Sequence, residues 1–366
     1  MADEITRRTF IKSAAMAGAI AGPLGALAAD EQTKKVVLAA VGCAHSHMPG
    51  YLGLLKASPD VKVKYVWDHD KARAQKWAQE MECKVATDLQ DIWADAEVAG
   101  VVIGSETNRY RELVPAAAKA KKHIFVEKPL GISADESAAM ADAIEKAGVL
   151  FTIGYFQRTL PYHLFIKEQI AKGTLGKITR VYAATCHNGA QDGTLDGEYR
   201  WMTDPKIAGT GAFGNLGTHS LDLLMWMLGD VDSVTADIKP VTGHFGECDE
   251  TGEALIRFKN GTTGTIVGSW VEVATPVTLM VSGTQGEALV RDDHLYFICP
   301  KVEGADGRKL WTKLPPNHSQ PVLMFVEAIA GQSDLPLVKP REAAARVRVM
   351  EAMYRASREK RWITVS

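Results

Sequence analysis

Apolar runs alternate with helical patterns along the first part of the chain, from Lys35 to about Phe156. The runs KVVLAAV, VKVKYVW, AGVVIG, HIFVEK and VLFTIGY have the length and composition of buried strands. Between them, KARAQKWAQEM and ADESAAMADAIEKAG have the spacing of amphipathic helices. Such alternation is typical of a parallel sheet covered by helices on both faces. Residues 30–155 are therefore predicted to form an α/β domain of the Rossmann type.

The pattern changes after Phe156. A helical segment, PYHLFIKEQIAKG, is followed by alternating, β-rich stretches: KITRVYAATCH, EALIRFKN, GTTGTIVGSWVEV and VTLMVSG. Glycine-rich turns join these stretches, and a last helix is predicted from Arg341 to Glu359. We interpret residues 156–366 as an α+β domain with a large, mostly antiparallel sheet that serves substrate binding and oligomerisation.

The amino-terminal pattern is that of an export signal. TRRTFIK, residues 6–12, has paired arginines, and an apolar run over residues 13–25 leads to the small-residue site Ala26-Leu27-Ala28. This order resembles a twin-arginine signal over residues 1–29, with a mature chain that starts near Ala29 or Asp30; the alternative is a disordered basic tail. The run is too short for a stable membrane helix, so we expect a periplasmic or otherwise exported protein without an integral membrane segment.

Composition narrows the classes of function. The 366 residues are 46% hydrophobic, enough for two cored domains, and 42 basic side chains balance 44 acidic ones. This balance argues against a nucleic-acid partner. Five cysteines, at 43, 83, 186, 248 and 299, are scattered without a CxxC pair, so we predict small buried apolar residues and no disulfide framework.

A cofactor site is predicted after the first strand, in VVLAAVGCAHSHMPGYL. Gly42 occupies the first position of a phosphate loop, while Ala44 and His47 occupy the positions of the second and third glycines. Pro49 places the next helix near Met48, where free backbone N–H groups can receive a phosphate. The predicted cofactor contacts in this loop are Gly42, Cys43, Ala44 and His45.

The second strand ends in Asp68, 26 positions after Gly42. A carboxylate there accepts hydrogen bonds from the adenosine ribose and repels a 2′-phosphate, so NAD is favoured over NADP. The basic side chains Lys71 and Arg73 lie close enough that NADP remains an alternative cofactor. The alternative interpretation of Asp68 is a helix N-cap.

A metal site built from Cys43, His45 and His47 is the competing interpretation of the loop. The spacing of these residues, i, i+2 and i+4, matches no zinc pattern, and a fourth ligand is missing. We therefore predict no metal, with the histidines lining the phosphate loop or the mouth of the pocket.

The stretch HIFVEKPLGI, residues 123–132, points to the chemistry. It places Lys128 at the carboxyl end of a parallel strand, where open α/β sheets bind ligands, and makes Pro129 a candidate cis proline. With this Glu-Lys-Pro triplet the chain resembles the Gfo/Idh/MocA oxidoreductase family over nearly all of the mature protein. GVVIGSETNRY is similar to the family's cofactor-contacting strand and loop, with Ser105 and Glu106, although Tyr110 replaces the usual histidine.

Two later segments carry the same resemblance. GYFQR, residues 154–158, resembles the start of the family's second domain, and AGTGAFGNLGTHSLDLLMWMLGD, residues 208–230, resembles its glycine-rich loop and active-site helix. His219 matches the family's histidine, whereas Asn215 stands where the family has an acid. Asp222, three residues beyond His219, is predicted to supply the missing charge, unless it is a surface or capping carboxylate.

The resemblance implies a role for each residue. Glu127 and Lys128 contact the cofactor, Lys128 also contacts the reacting hydroxyl, and His219 relays the proton. Burial beside a cationic nicotinamide disfavours the charge of Lys128 and makes it a usable base near neutral pH; a core histidine is the alternative for His219. Candidate substrate contacts are Tyr155, Arg158, Arg200 and His219. Either arginine can instead be a structural ion pair.

The resemblance and the signal together predict an exported NAD(P)-dependent oxidoreductase of a sugar, polyol or glycoside. Little free NAD exists outside the cytoplasm, so the cofactor should be tightly bound and internally recycled, as in exported glucose-fructose oxidoreductase-like members. The alternative is an NAD-dependent glycosidase or lyase that works by transient C3 oxidation, and a third is a cofactor-retaining binding protein without turnover. Sheet domains of this kind pair commonly, so a homodimer or homotetramer is expected.

Overall fold

The computed structural model describes residues 35–365, which form two sheets with their helices. The predicted export signal, residues 1–29, lies outside the described residues. Along residues 35–365, every helix is either too short or too polar to cross a membrane.

The first sheet confirms the predicted α/β domain. Its six strands are all parallel, in the order β3-β2-β1-β4-β5-β6. The strands are β1 Val36–Cys43, β2 Val61–Trp67, β3 Lys84–Val85, β4 Gly100–Gly104, β5 His123–Val126 and β6 Phe151–Ile153. Strands β1, β4 and β5 are buried almost throughout, as their continuous apolar runs predict. Their carboxyl ends lie side by side and carry the loop after Gly42, Ser105 and Lys128.

Five helices accompany this sheet. They are α1 Met48–Ala57, α2 Lys71–Glu80, α3 Gln90–Trp93, α4 Tyr110–Lys119 and α5 Ala134–Ala147. Helix α1 begins at Met48 with Pro49 in its first turn, as predicted. Helix α4 was not predicted, and it contains Pro115, a residue that argues against a helix interior.

The second sheet has eight strands in the order β13-β12-β11-β7-β10-β9-β8-β14. Every neighbouring pair is antiparallel except β7 and β10, so the prediction of a mostly antiparallel sheet is confirmed. The strands are β7 Ile178–Cys186, β8 Val231–Lys239, β9 Thr251–Phe258, β10 Thr263–Ser269, β11 Val277–Gly283, β12 Glu287–Arg291, β13 His294–Ile298 and β14 Ile363–Thr364.

The remaining helices connect the two sheets. They are α6 Pro161–Ala171, α7 Pro205–Ala208, α8 Ala212–Leu228, α9 Pro321–Ile329 and α10 Pro340–Glu359. Helix α8 is apolar along nearly its whole length and packs between β7, β9, β10 and α10. Although α9 and α10 follow the second sheet in sequence, Phe325 and Val347 pack into the cores of the first domain. Helix α8 reaches the carboxyl end of the Rossmann sheet through the hydrogen bond from Lys128 to the Asn215 carbonyl.

Candidate functional site

The loop after β1 passes tightly over the end of β4. Gly42 has a φ of +79°, and a Cβ there would lie 2.4 Å from the Cβ of Ser105, so only glycine fits. The His45 N–H donates to the carbonyl of Gly104 at 2.9 Å. The one retained glycine of the phosphate loop, Gly42, therefore lies at the position where the positive φ and the contact with Ser105 require a glycine.

Asp68 fastens this loop from the neighbouring strand. Its buried carboxylate accepts the backbone N–H of Cys43 at 2.7 Å and the Nε and Nη2 of Arg73 at 2.7 and 2.9 Å. The N-cap of α2 is Asp70, which accepts the N–H groups of Ala72 and Arg73. The interpretation of Asp68 as the helix N-cap is therefore wrong. A ribose hydroxyl reaches Asp68 only if Arg73 releases an oxygen, because the Asp68 side chain is fully covered.

Glu106 continues this network at the predicted adenosine end of the site. One of its oxygens accepts from Arg73 Nη2 at 2.9 Å and the other from Ser105 Oγ at 2.9 Å. Arg73 therefore bridges two carboxylates, Asp68 and Glu106, which occupy the guanidinium that a 2′-phosphate would need.

Glu127 is a buried carboxylate that is contacted by hydrogen-bonding groups from several elements. Tyr51 Oη and His47 Nδ1, the latter at 3.1 Å, contact Oε1, and the Lys128 N–H donates to Oε2 at 2.9 Å. Burial raises the pKa of Glu127, but the neighbouring His45, His47 and Lys128 hold it below the usual range. Glu127 is therefore an ionised anchor.

A metal site is the competing interpretation of this cluster. Within residues 35–365, one group of side chains has the spacing to hold a metal ion: His45, His47 and Glu127, with ligand atoms within 4.8 Å of one another. Cys43, which the sequence interpretation included, is buried beside Asp68 and is not in the group. The His47 N–H donates to Nδ1 of His45 at 3.2 Å, so the proton of a neutral His45 sits on Nε2, which lies 3.5 Å from Glu127 Oε2. That tautomer leaves His45 no lone pair for a metal in this position.

Lys128 follows β5 at the carboxyl end of the sheet, and its peptide bond to Pro129 is cis, as predicted. Its side chain crosses to the second domain, where Nζ donates to the backbone carbonyl of Asn215 at 3.0 Å. Burial lowers the pKa of Lys128 to about 8, against the opposing effect of Glu127. Asn215 therefore contacts Lys128 through its main-chain carbonyl.

His219 projects from α8 toward the same place. Its ring lies 5.2, 6.2 and 6.3 Å, between centroids, from Phe156, Tyr155 and His47. Burial, with Lys128 and His47 adding to it, lowers the pKa of His219 well below its usual value. Nδ1 of His219 is buried without a hydrogen-bond partner, as is Nε2 of His163, and a bound ligand can supply such a partner. Tyr155 lies beside it, with Oη 3.1 Å from Thr218 Oγ1.

Asp222 does not contact His219, which contradicts the prediction that it supplies the missing charge. Its carboxylate receives Arg158 Nη2 at 2.5 Å, Arg158 Nε at 2.8 Å and Arg346 Nε at 2.9 Å. Three positions along a helix put the two side chains on neighbouring faces, but these arginines turn Asp222 away from the imidazole. Arg158 is correspondingly a structural ion pair rather than a free substrate donor.

Arg200 also lies away from the pocket. Its guanidinium pairs with Asp196 at 3.2 Å and lies 4.6 Å from the ring centroid of Phe245, with half of the side chain exposed. Of the predicted substrate contacts, the structure therefore brings Tyr155 and His219 together beside Lys128, and leaves both arginines engaged elsewhere.

Several residues of the site were missed by sequence reasoning. They are Tyr51 on Glu127, Thr218 on Tyr155, Trp201, whose Nε1 donates to the Ala44 carbonyl at 3.3 Å, and His187, which lies within electrostatic reach of Lys128 and His47. His47 was predicted to line the phosphate loop or the mouth of the pocket, and its contact with Glu127 was not foreseen.

The donor set fits a dinucleotide. A glycine-dependent turn leads into the start of α1, carboxylates follow β2 and β4, and a buried lysine lies within electrostatic reach of an imidazole whose Nδ1 has no partner. These features define a nicotinamide-dependent oxidoreductase. Residues 36–155 match the NAD-binding Rossmann fold of the oxidoreductase family and residues 163–289 match the GFO/IDH/MocA C-terminal domain, so the chain belongs to the Gfo/Idh/MocA family.

Similar proteins agree with this assignment. The oxidoreductase YrbE of Bacillus subtilis is 27% identical over 83% of this chain and 89% of its own length. The scyllo-inositol 2-dehydrogenase (NAD(+)) of the same species is 26% identical over 69% of this chain and 74% of its own. The 2,7-anhydro-N-acetylneuraminate hydratase of Escherichia coli is 24% identical over 65% of this chain and 64% of its own. The solved structure of levoglucosan dehydrogenase with NADH has the same fold, with a TM-score of 0.79 at 21% identity over 91% of this chain and 100% of the other.

Replacing Asp222 by Ala should destabilise the protein by about 3–5 kcal/mol, because two buried guanidiniums, Arg158 and Arg346, lose their shared carboxylate. Chemical denaturation followed by circular dichroism measures this change. Asp142→Ala, which breaks an exposed pair with Arg341, should leave the transition nearly unchanged. An Asp222→Ala protein that is fully stable but inactive would contradict this structural role and indicate a catalytic one.

Proposed function

We propose that this protein is an exported, NAD-dependent oxidoreductase of a sugar, polyol or glycoside that retains its cofactor and recycles it internally. The observation that carries the proposal is Lys128, a buried lysine whose pKa is lowered to about 8 and whose Nζ is held by the Asn215 carbonyl at the junction of the two domains.

Lys128 is suited to act as the base. Oxidation of a secondary alcohol removes the hydroxyl proton as the carbon loses a hydride, and NAD, when bound, supplies the hydride acceptor. A lysine with a pKa of about 8 is neutral often enough near neutral pH to take that proton. The Asn215 carbonyl fixes the direction of Nζ. His219, neutral because it is buried, offers Nδ1 to a substrate hydroxyl.

The pocket favours a neutral, polyhydroxylated substrate. Both arginines that were candidates for binding a carboxylate, Arg158 and Arg200, are engaged by Asp222 and Asp196. His219, within electrostatic reach of Lys128, has beside it the ring of Tyr155, whose hydroxyl lies 3.1 Å from that of Thr218, so hydroxyl and imidazole groups lie here. The similarity to a scyllo-inositol dehydrogenase supports the same substrate class.

Retention of the cofactor rests on a contact between the domains. Trp201, in the segment between β7 and α8, reaches across to the phosphate loop and donates to the Ala44 carbonyl at 3.3 Å. A segment placed over the loop slows dissociation of whatever the loop holds. Arg73 is occupied by Asp68 and Glu106, which supports NAD over NADP. Export to the periplasm follows from the predicted twin-arginine signal, and assembly into a homodimer or homotetramer through the second sheet belongs to the same proposal.

The alternative is an NAD-dependent glycosidase or lyase that oxidises C3 transiently, which acidifies the C2 proton and permits elimination. One observation favours it: such a cycle needs an acid or base besides the one at the hydroxyl, and His187 and His219 both lie within electrostatic reach of Lys128. The similarity to a hydratase points the same way. A binding protein without turnover is the third candidate, and the placement of Lys128 and His219 argues against it.

Turnover should rise with pH and level off above about 8, because Lys128 acts only when neutral and burial lowers its pKa to that value. Lys128→Met should lower turnover by roughly 10²-fold or more while leaving the fold and the bound nucleotide in place. Lys122→Met is the matched control, since Lys122 is a buried lysine at the other end of β5 that donates to the carbonyls of Asp95 and Val98. Unchanged turnover in Lys128→Met would place the chemistry elsewhere.

Protein purified from its own exporting host without added cofactor should carry NAD(H), detected by native mass spectrometry and by absorbance. Asp68→Ala should weaken retention because it frees the Cys43 N–H, and Trp201→Phe should do so because it removes the donor to Ala44. Empty wild-type chains would contradict internal recycling.

The choice between the two enzymatic cycles is tested in deuterated water, with glycosides and free sugars and no added NAD. Our first proposal expects a ketosugar or lactone together with a reduced second substrate, over many turnovers. Deuterium at C2 of a released sugar would instead establish the glycosidase. Steady accumulation of free NADH from added NAD would contradict both, because the cofactor would then exchange.

A further inference from the structure

The amine of Lys128 is placed by a backbone atom, the carbonyl oxygen of Asn215, which accepts from Nζ at 3.0 Å. Asn215 lies in the first turn of α8, and its N–H donates to the carbonyl of Gly211 at 2.9 Å. A main-chain carbonyl cannot move by a change of rotamer, so it moves only with the start of the helix. Whatever fixes residues 211–214 therefore also fixes the partner of the Lys128 amine.

The start of α8 carries no capping side chain of its own. The first N–H groups of a helix lack partners within the helix, and a side chain at the N-cap usually accepts one of them. Here the N-cap residue is Gly211, which has no side chain. A Cβ at Gly211 would lie 2.5 Å from the backbone oxygen of Asp249, so even the small side chain of a serine has no room there.

Asp249, which precedes β9 and lies 38 positions beyond Gly211, caps the helix instead. Its carboxylate accepts the Gly211 N–H at 3.1 Å and the Phe213 N–H at 2.8 Å, and its backbone carbonyl accepts the Ala212 N–H at 2.9 Å. Asp249 is 8% exposed, and a carboxylate at the positive end of a helix dipole is favourable. One residue of the second sheet's connections thus holds three consecutive N–H groups.

Tyr354 of α10 completes this cap. Its hydroxyl donates to Asp249 Oδ1 at 2.9 Å and accepts the Gly214 N–H at 3.0 Å. The N–H groups of residues 211–214 therefore all have partners outside the helix, and the next residue is Asn215. Asp249 and Tyr354 together hold the stretch of backbone that leads directly to the carbonyl on Lys128.

We propose that Asp249 is a positioning residue for the reaction: it fixes the first turn of α8 so that the Asn215 carbonyl holds Nζ of Lys128 in place. Tyr354 supports Asp249 in this role. The proposal rests on the proposed oxidoreductase function. In the part of the chain that the structure describes, the Asp249 carboxylate accepts hydrogen bonds from the start of α8 and from Tyr354, so it acts on Lys128 only through the helix.

Glu250, the next residue, provides a matched control. It is 0% exposed, and its carboxylate accepts the Val241 N–H at 2.7 Å, the Gly243 N–H at 3.4 Å and the Thr242 hydroxyl at 2.5 Å. Glu250 therefore caps the turn over residues 241–243 in the way in which Asp249 caps α8. Loss of either carboxylate removes a buried cap, but only that of Asp249 changes the helix that meets Lys128.

Hydrogen–deuterium exchange of the full-length protein, with NAD present, tests whether Asp249 fixes the helix start. Asp249→Asn should raise the exchange of the amides of residues 211–215 roughly 5-fold, the effect of a lost helix cap. Tyr354→Phe, which keeps the ring, should raise it less. Glu250→Gln should raise exchange at residues 241–243 and leave residues 211–215 unchanged.

Single-turnover reduction of bound NAD tests whether this position matters for the reaction. The probes are scyllo-inositol, levoglucosan and D-glucose, and saturating NAD is added to every variant. Asp249→Asn should lower the maximal rate roughly 10-fold or more, because reacting groups that are slightly misplaced react slowly, and should leave the half-saturating sugar concentration nearly unchanged. Glu250→Gln should keep the wild-type rate. In a Lys128→Met background, Asp249→Asn should have almost no further effect, because the amine that it positions is gone.

Several results would overturn the proposal. These are unchanged exchange at residues 211–215 in Asp249→Asn, faster exchange there with a wild-type rate, an equal loss of rate in Glu250→Gln, or a loss that adds in full to that of Lys128→Met. If Asp249→Asn does not fold, Tyr354→Phe decides by the same measurements. Wild-type protein that reduces NAD with none of the probes would instead contradict the proposed function itself, and the exchange data would still show whether Asp249 fixes the helix.

Discussion

A carboxylate buried with no exposed surface is the constraint on which this site depends. An ionised Glu127 is tolerated in the interior only because donors surround it: the Tyr51 hydroxyl, His47 Nδ1 and the Lys128 N–H. Each donor must keep a fixed position to bond the carboxylate. Glu127 therefore links α1 and the phosphate loop to β5, the strand that Lys128 follows. Gly154 belongs to the same arrangement, because a Cβ there would lie 2.4 Å from Glu127 Oε1.

This anchor explains how the phosphate loop functions with a single glycine of its motif. Glycines in such a loop permit a tight turn and close packing of the following helix. Here Gly42 still makes the turn, while polar contacts position the remainder of the loop. The Cys43 N–H donates to Asp68, and His45 and His47 lie beside Glu127. The loop is thus held by side chains that follow β2 and β5, on opposite sides of β1, and its histidines lie beside Glu127.

The sequence predicted the elements whose signals are local. Continuous apolar runs gave the parallel strands, alternation gave β7, β9 and β10, and Pro49 placed the start of α1. Helix α4 was missed because Pro115 argues against a helix interior. Strands β12 and β13 are short and follow one another closely, so their pattern does not stand out from the surrounding turns.

The site was predictable only where its residues are neighbours in sequence. The Glu-Lys-Pro triplet located Lys128, the proposed base, and its cis proline, and His219 was found by the resemblance of residues 208–230 to the family's active-site helix. Asp222 was assigned wrongly because helical spacing indicates only which residues share a face of the helix. It cannot predict the hydrogen bond that Asp222 accepts from Arg346, 124 positions away. The contact of Lys128 with the Asn215 carbonyl could not be predicted either, because it joins residues 87 positions apart and uses the main chain of Asn215.

That last contact makes the strength of the base depend on how the domains meet. Lys128 belongs to the first domain and Asn215 to the second, and the pKa of the lysine is lowered by burial between them. If the cleft opened and water reached Nζ, the pKa would rise toward the ordinary value for lysine, about 10.4, and the amine would be almost wholly protonated at neutral pH. The buried pair of Arg158 and Asp222, together with Arg346 from α10, fixes the helix that supplies Asn215 and so keeps the cleft closed around Lys128. The ion pairs that do not touch the substrate therefore bear on the lowered pKa that suits Lys128 to its proposed role.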